Sequence, residues 1–174
     1  MKTKQIEFEV KPKVNKTRAL KSVFFILNST ALMALSTFDR RNSQPCICSA
    51  YFVFDNKLNL YFWTDPNSLH SKNISNNPKV AAAIVDSGQK WGTFLKGVHL
   101  FGTAEIITNK ELAVSGRLYL GRFPDASKFV KKIEDFHSEK YQSRIYKIQI
   151  NKIKLLDEAV FGKEEFVEIS FIRN

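Results

Sequence analysis

Three strand-like segments follow one another between residues 31 and 64 with only short polar turns between them, and this order constrains the fold more than any other feature. Segments 31–38 and 46–54 are separated by Asp39-Arg40-Arg41-Asn42-Ser43-Gln44, a run of turn-forming and charged residues with Pro45 at its exit. Asp55-Asn56-Lys57 then turns the chain into the aromatic-rich segment 58–64. Segments joined this closely read as antiparallel neighbours. Further strand patterns lie at 80–85, 97–107 and 144–156, the last carrying Ile145, Tyr146, Ile148, Ile150 and Ile153. Helical patterns are fewer. Leu20, Val23, Phe24 and Leu27 recur at helical spacing and form one apolar stripe, with Thr17 as the expected cap. Asp65-Pro66 reads as a second helix start, ended by Asn76-Asn77-Pro78, and helices are expected over 109–120 and 125–137. About six mostly consecutive strands without βαβα alternation point to a mainly-β antiparallel barrel decorated by helices.

The chain of 174 residues is 44% hydrophobic, enough for one domain with a core that needs neither disulfides nor a structural metal. Residues 1–16 read as a basic tail or an edge strand, in which Ile6, Phe8 and Val10 alternate with charged residues, and 17–174 as the single domain. The net charge of +10 is partly concentrated in Lys2, Lys4, Lys11, Lys13, Lys16, Arg18 and Lys21. Such an arm attracts nucleic acid, an acidic membrane or a phosphate-bearing ligand, but no aromatic or Gly-rich pattern interrupts it, so it reads first as solvated. A nucleic-acid-binding module stays as an alternative that requires steep salt dependence. No apolar run approaches membrane-spanning length and the N-terminus lacks a signal-peptide pattern, so a cytoplasmic protein is expected. Cys46 and Cys48, two apart on a strand, share one face and are expected as reduced thiols. His70, His99 and His137 are widely spaced and make no metal motif with them, and no dinucleotide, phosphate-loop, hydrolase-elbow or zinc-protease motif is present.

The chemically informative stretch is 61–80. An aromatic strand ends in Trp63-Thr64, and the helix after it begins near Ser68, His70 and Lys72, with Ser68 and Lys72 on one helical face. A helix start offers unpaired N–H groups and the positive end of the dipole, which suits a phosphate. On these residues alone, a capped surface helix with its polar side chains in water is an equally good reading.

The same stretch resembles the FMN-binding split-barrel family that includes pyridoxamine 5′-phosphate oxidase. The family pattern of an aromatic strand ending in Thr, a Ser-x-Lys or Ser-x-His, an amide residue and Asn-Pro-x-Val reads here as Phe62-Trp63-Thr64, Ser68-Leu69-His70, Asn73 and Asn77-Pro78-Lys79-Val80. Gly97-Val98-His99-Leu100-Phe101-Gly102-Thr103-Ala104-Glu105 looks like the family's long strand with its Gly-x-Ala-Glu ending. The resemblance implies a split antiparallel barrel, a homodimer, and FMN bound where the two barrels meet. It implies that Trp63 and Thr64 lie beside the cofactor, that Ser68, Leu69 and His70 form the phosphate segment, and that Cys48, Ser49, Ala50, Tyr51, Phe52 and Val53 run along the flavin edge.

The chain departs from the family at several of these positions. Leu69 and His70 replace basic residues, with Lys72 as a compensating charge; Cys48 and Val53 stand where the family has Arg and Lys; Gly97, preceded by Lys96, stands where it has a cofactor-contacting Gln. The tail 165–171 lacks the Arg-rich substrate signature of the true oxidases, so vitamin B6 synthesis is not expected. The resemblance then implies a flavin-dependent oxidoreductase acting on an unknown small molecule, with the flavin carrying the chemistry and no catalytic side chain assigned. A non-enzymatic flavin or haem binder, with His99 or His137 as axial ligand, and a reductase using deazaflavin F420 stay open.

Overall fold

The computed structural model describes residues 7–138 and 141–172; Lys2, Lys4 and Ile6 of the basic arm lie outside them. Strands β2 (Leu32–Asp39), β3 (Gln44–Phe54) and β4 (Asn59–Thr64) are antiparallel neighbours, as the short turns require. With β5 (Lys79–Val85), β6 (Lys96–Ile106) and β7 (Arg144–Asp157) they run in the order β7-β4-β3-β2-β5-β6, and β6 pairs back with β7 to close a six-stranded barrel. The expected antiparallel barrel with helices around it is thus present. Closure brings β6 so near β7 that a Cβ on Gly102 would lie 2.2 Å from the Gln149 carbonyl oxygen, and the ladder slips by one residue there. Only glycine fits that approach.

Two strands extend the sheet beyond the barrel. β8 (Phe166–Ile172) pairs with the second half of β7, and β1 (Glu7–Lys11) adds to its edge. β8 has no counterpart among the expected strands. Val167 and Ile169 face the core while Glu168 and Ser170 face outward, a two-residue repeat too short to stand out beside Glu164 and Glu165.

Helix α1 (Lys16–Ser29) buries Ala19, Val23, Ile26 and Leu27 in the same cluster as Phe52, Leu60, Phe62, Leu100 and Tyr146 of the barrel interior. Full burial of each large apolar side chain stabilises the fold by about 1.5–3 kcal/mol. Of the expected stripe Val23 and Leu27 are fully buried, whereas Leu20 and Phe24 are only partly so and Ala19 and Ile26 take the inner positions. Its cap is Asn15, whose side chain accepts from the Arg18 amide at 3.0 Å; the expected cap, Thr17, lies inside the first turn. Helix α2 (Leu69–Asn76) lies against β2, tied by a bond from the buried Asn73 amide to the Thr37 hydroxyl at 3.2 Å. It does not start at Asp65-Pro66. The Asp65 carboxylate accepts from the Asn67 amide and its carbonyl from the Ser68 amide, which makes a tight turn, and Ser68 caps the helix instead.

Helix α3 (Asn109–Arg122) covers the outer face of β3, β4 and β7 and forms a second cluster with Val53, Tyr61, Ile107, Leu112, Tyr119, Val130, Phe136 and Ile145. The helix expected over 125–137 is instead two 3-10 turns, Pro124–Lys128 and Ile133–His137. The Asp135 carboxylate takes the Lys131 and Lys132 amides, groups that a continuous helix would tie to carbonyls four residues back. A last short helix, α4 (Glu158–Phe161), follows β7.

Candidate functional site

The barrel is split between β3 and β4. These strands pair only from Phe52 to Phe54, while β3 continues along β2 as far back as Gln44. The Phe52 amide donates to the Ala31 carbonyl on the β2 side. By the alternation of an antiparallel ladder, the main-chain groups of Tyr51, Ser49 and Ile47 therefore point into the split. At its apex sits Tyr119 of α3. Its hydroxyl accepts from the Trp63 amide at 2.7 Å and donates to the Tyr51 carbonyl at 2.8 Å, so the phenol occupies the next rung of the ladder. Burial raises the Tyr119 pKa, which keeps the hydroxyl protonated as a donor.

The start of α2 borders the same split. β4 ends in Thr64, whose Oγ1 lies 2.7 Å from His70 Nε2, and Ser68 Oγ lies 3.0 Å from the same nitrogen. Ser68 Oγ also accepts from the Ser71 amide and donates to Ser71 Oγ at 2.8 Å, while Ser71 Oγ donates to the Asp65 carbonyl. This is a closed set of hydroxyls around one imidazole. Burial holds the His70 pKa below its usual value against the opposing pull of the Asp65 carboxylate, so the ring is neutral near pH 7. An oxyanion arriving here meets hydroxyl and amide donors more than charge.

The residues singled out in the sequence separate into groups. Ser49 and Tyr51 are exposed on β3; Cys48, Ala50 and Phe52 point into the barrel; Val53 is buried beneath α3. Burial pushes the Cys48 thiol pKa up, which makes it a core group and not a nucleophile. The Trp63 side chain belongs to the second cluster, where its Nε1 donates to the Phe136 carbonyl at 3.0 Å. Thr64, Ser68 and His70 come together. Leu69 is 56% exposed and Lys72 is exposed.

Lys96 and Gly97 are not brought to this place within the chain. They lie on β6, separated from β3 by β2 and β5, with the Lys96 ammonium 4.7 Å above the Phe25 ring and Gly97 pressed against Val85. Of the other histidines, His137 accepts the Ile145 amide at Nε2, which removes that nitrogen as a ligand, whereas His99 is exposed on the outer face of β6. Among the described residues no cluster of His, Cys, Asp or Glu has the make-up of a metal site.

Two residues at the site carry no local sequence signal. Tyr119 meets Tyr51 across 68 positions, and nothing near it in the chain marks it. Arg144, the first residue of β7, stands opposite Thr64 in the β4–β7 ladder and lines a surface hollow beside the turn before α2.

A family model for pyridoxamine 5′-phosphate oxidase matches residues 21–157. Solved structures share the fold at low identity. A heme binding protein from Mycobacterium smegmatis superposes with a TM-score of 0.69 at 16% identity, over 91% of this chain and 59% of that one. A putative pyridoxamine 5′-phosphate oxidase from Listeria innocua gives 0.61 at 15%, over 78% and 96%. A heme storage protein from Vibrio cholerae gives 0.61 at 15%, over 76% and 90%. The chain spans little more than half the length of some of these structural relatives, 58% for one from Agrobacterium tumefaciens. No match is found among curated proteins.

Proposed function

Because this chain belongs to the pyridoxamine 5′-phosphate oxidase family, we propose that it is an FMN-binding flavoprotein, a flavin-dependent oxidoreductase acting on a small molecule. The observation that carries this reading is the split itself: a free β3 edge with unpaired main-chain groups runs directly to the hydroxyl-lined start of α2. That donor set suits a ring with hydrogen-bonding groups at one end and an anion at the other. Of the segment Cys48, Ser49, Ala50, Tyr51, Phe52 and Val53, the part before Phe52 provides the free edge, through the main chain of Ser49, while Phe52 and Val53 close it by pairing with β4. Trp63 and Thr64 are the end of the adjoining strand, and Ser68, Leu69, His70 and Lys72 the anion end. Bound FMN supplies hydride or electron transfer. The chain's part is to orient the ring along β3, hold the anion, and exclude water.

A homodimer belongs to the same proposal. The outer face of β3, β2, β5 and β6 carries Ile47, Tyr51, Leu32, Val85 and Phe101 around a floor of Ser49, Ala34 and Ala83. Ile47 is 76% exposed and Tyr51 60%, an apolar face of the kind that a second copy of the chain covers. A partner seated there is also the way in which Lys96 and Gly97 reach a cofactor held by the neighbouring split.

A second reading, a heme binder, is favoured by the heme-binding proteins among the structural relatives and by the missing Arg and Lys at Cys48 and Val53. Of its two candidate ligands only His99 keeps Nε2 free of the fold. The absorption spectrum of freshly purified protein, followed by titration with FMN and with hemin, separates the two. A flavin band, or saturable FMN binding with a flavin-to-protein ratio near one, supports the proposal. A Soret band with no FMN binding overturns it.

A further inference from the structure

Arg144 pairs with Thr64 across the β4–β7 ladder, so both side chains leave the sheet on one face. The Arg144 Nη1 donates to the Ser143 carbonyl at 2.8 Å and reaches the Ser138 carbonyl at 3.5 Å. Among the described residues no carboxylate pairs with it, and its Nε and Nη2 have no acceptor. Arg144 as a residue is nevertheless half-buried, and its field adds to burial in keeping the His137 ring uncharged. A cation partly withdrawn from water with no counter-charge is costly, and the cost is relieved when an anion arrives.

The surroundings fit that arrival. Pro66, Asn67, Gln142 and Arg144 line a hollow of about 320 Å³ between the turn before α2 and the entry to β7. Gln142 is held at φ 47°, a left-handed conformation that a residue with a side chain adopts at a cost. Asp65, the carboxylate of the turn before α2, is outside the lining and already accepts the Asn67 amide at 2.7 Å. We propose that this hollow is an oxyanion site, with the Arg144 fork as its charge and the carboxamides of Asn67 and Gln142 as further donors. A planar guanidinium with two donors free matches the two oxygens of a phosphate or a carboxylate. Two sources present that chemistry: the phosphate of FMN, in which case the inference rests on the flavin reading, or the carboxylate of a separate small substrate.

The test is a set of titrations of the full chain and of Arg144→Met and Arg144→Lys, with FMN, riboflavin, inorganic phosphate and succinate. If the source is the flavin phosphate, Arg144→Met loses about tenfold or more in FMN affinity, riboflavin binding is unchanged, and Arg144→Lys falls between. If the source is a substrate, flavin affinities stay equal and only the thermal stabilisation by succinate or phosphate is lost. Should the Met variant not fold, protection of Arg144 from phenylglyoxal by phosphate or succinate, read by mass spectrometry on the unsubstituted chain, decides whether the hollow takes an oxyanion; no protection overturns the site. Identical behaviour of a folded Met variant and the unsubstituted chain toward FMN, phosphate and succinate overturns it as well. Absence of flavin binding to the unsubstituted chain removes the flavin reading alone, since the phosphate and succinate titrations still decide the hollow.

Discussion

Replacing Tyr119 by Phe removes one oxygen from the apex of the split and leaves the ring packed against Phe123 and Phe136, at centroid distances of 5.7 and 5.6 Å. No cavity of consequence opens, so the cost is that of the two hydrogen bonds. The Trp63 amide and the Tyr51 carbonyl each lose their partner. A polar group left unpaired in a buried place costs about 1–3 kcal/mol, and with both groups only partly buried about 2–6 kcal/mol is the ceiling of the loss if the strands stay apart. If β3 and β4 close and these two groups bond to one another, the loss falls to about 1 kcal/mol. Against a total stability of about 5–15 kcal/mol the first outcome is large. For a domain of this size each kcal/mol moves the melting midpoint by about 2–4 °C, so a drop of roughly 4–24 °C is expected if the strands stay apart and about 2–4 °C if they close. Thermal denaturation should be read together with hydrogen exchange of the Trp63 amide, which becomes faster if the strands stay apart and slower if they zip together. In the zipped case FMN affinity falls with only a small change in midpoint. A midpoint within about 2 °C of the original, with Trp63 exchange and FMN affinity unchanged, refutes the idea that the phenol holds the split open.

His70 makes the anion end dependent on pH. Its lowered pKa means that protonation sets in below pH ~6.5, and FMN should bind His70→Gln without the gain that the unsubstituted chain shows as pH falls through that range. The same shift has a cost in stability: both His70 and His137 are depressed in the fold, so the unfolded chain binds more protons just below pH ~6.5 and stability is lost as pH falls through that window. Denaturant melts of His70→Gln and His137→Gln should each show part of that acid sensitivity removed. Leu69→Lys puts back a basic residue in the first turn of α2; titration should show FMN binding roughly tenfold tighter, while the ligand-free protein is destabilised by about 0.3–1 kcal/mol because the cation opposes the helix dipole. Lys72→Ala, at an exposed position, should weaken FMN binding by less than Arg144→Met does without changing the melting midpoint. The pair Ile47→Glu and Tyr51→Lys should convert a dimer to monomers in light scattering, and unchanged mass would remove that face as the interface.

How much of the fold and the site is legible in the sequence depends on whether the deciding contact is local. The turns at 39–44 and 55–57 are made by their own residues, with Asp39 and Asp55 accepting amides two positions on, so composition alone places β2, β3 and β4. The start of α2 is also local, yet two signals compete there. Asp65 is recruited to the turn by the Asn67 and Ser68 amides, and the cap moves to Ser68. The residues that shape the split come from far away in the chain. Tyr119 reaches Tyr51 and Trp63 from a helix whose own pattern only says that one side is buried, and Arg144 reads as nothing more than the polar first residue of a strand. Lys96 and Gly97 are placed by likeness to relatives, which carries no information on which protomer supplies a contact.

The two ends of the split select ligands by different physics. At the α2 end Thr64, Ser68, Ser71 and His70 already satisfy one another, so an incoming anion exchanges one set of hydrogen bonds for another and gains only about 0.5–1.5 kcal/mol per neutral contact. Discrimination there must come from charge, and the cations at hand are Lys72 and Arg144. Along β3 the situation is reversed. The main-chain groups of Ser49 and Ile47 have no strand opposite them, and a free edge of alternating donors and acceptors rewards a ring that presents the complementary alternation. The pyrimidine end of a flavin does so and a porphyrin edge does not. A heme would have to ignore this edge and take its binding from His99 and the apolar sheet face, the surface proposed above for a second copy of the chain. On the proposed dimer the two ligands would compete with different things: FMN with the internal hydroxyl bonds at α2, heme with the second copy of the chain. Measuring each affinity at dilutions that span the monomer–dimer equilibrium separates them, since heme binding that strengthens as the dimer dissociates would place the ligand on the sheet face and leave the split without one.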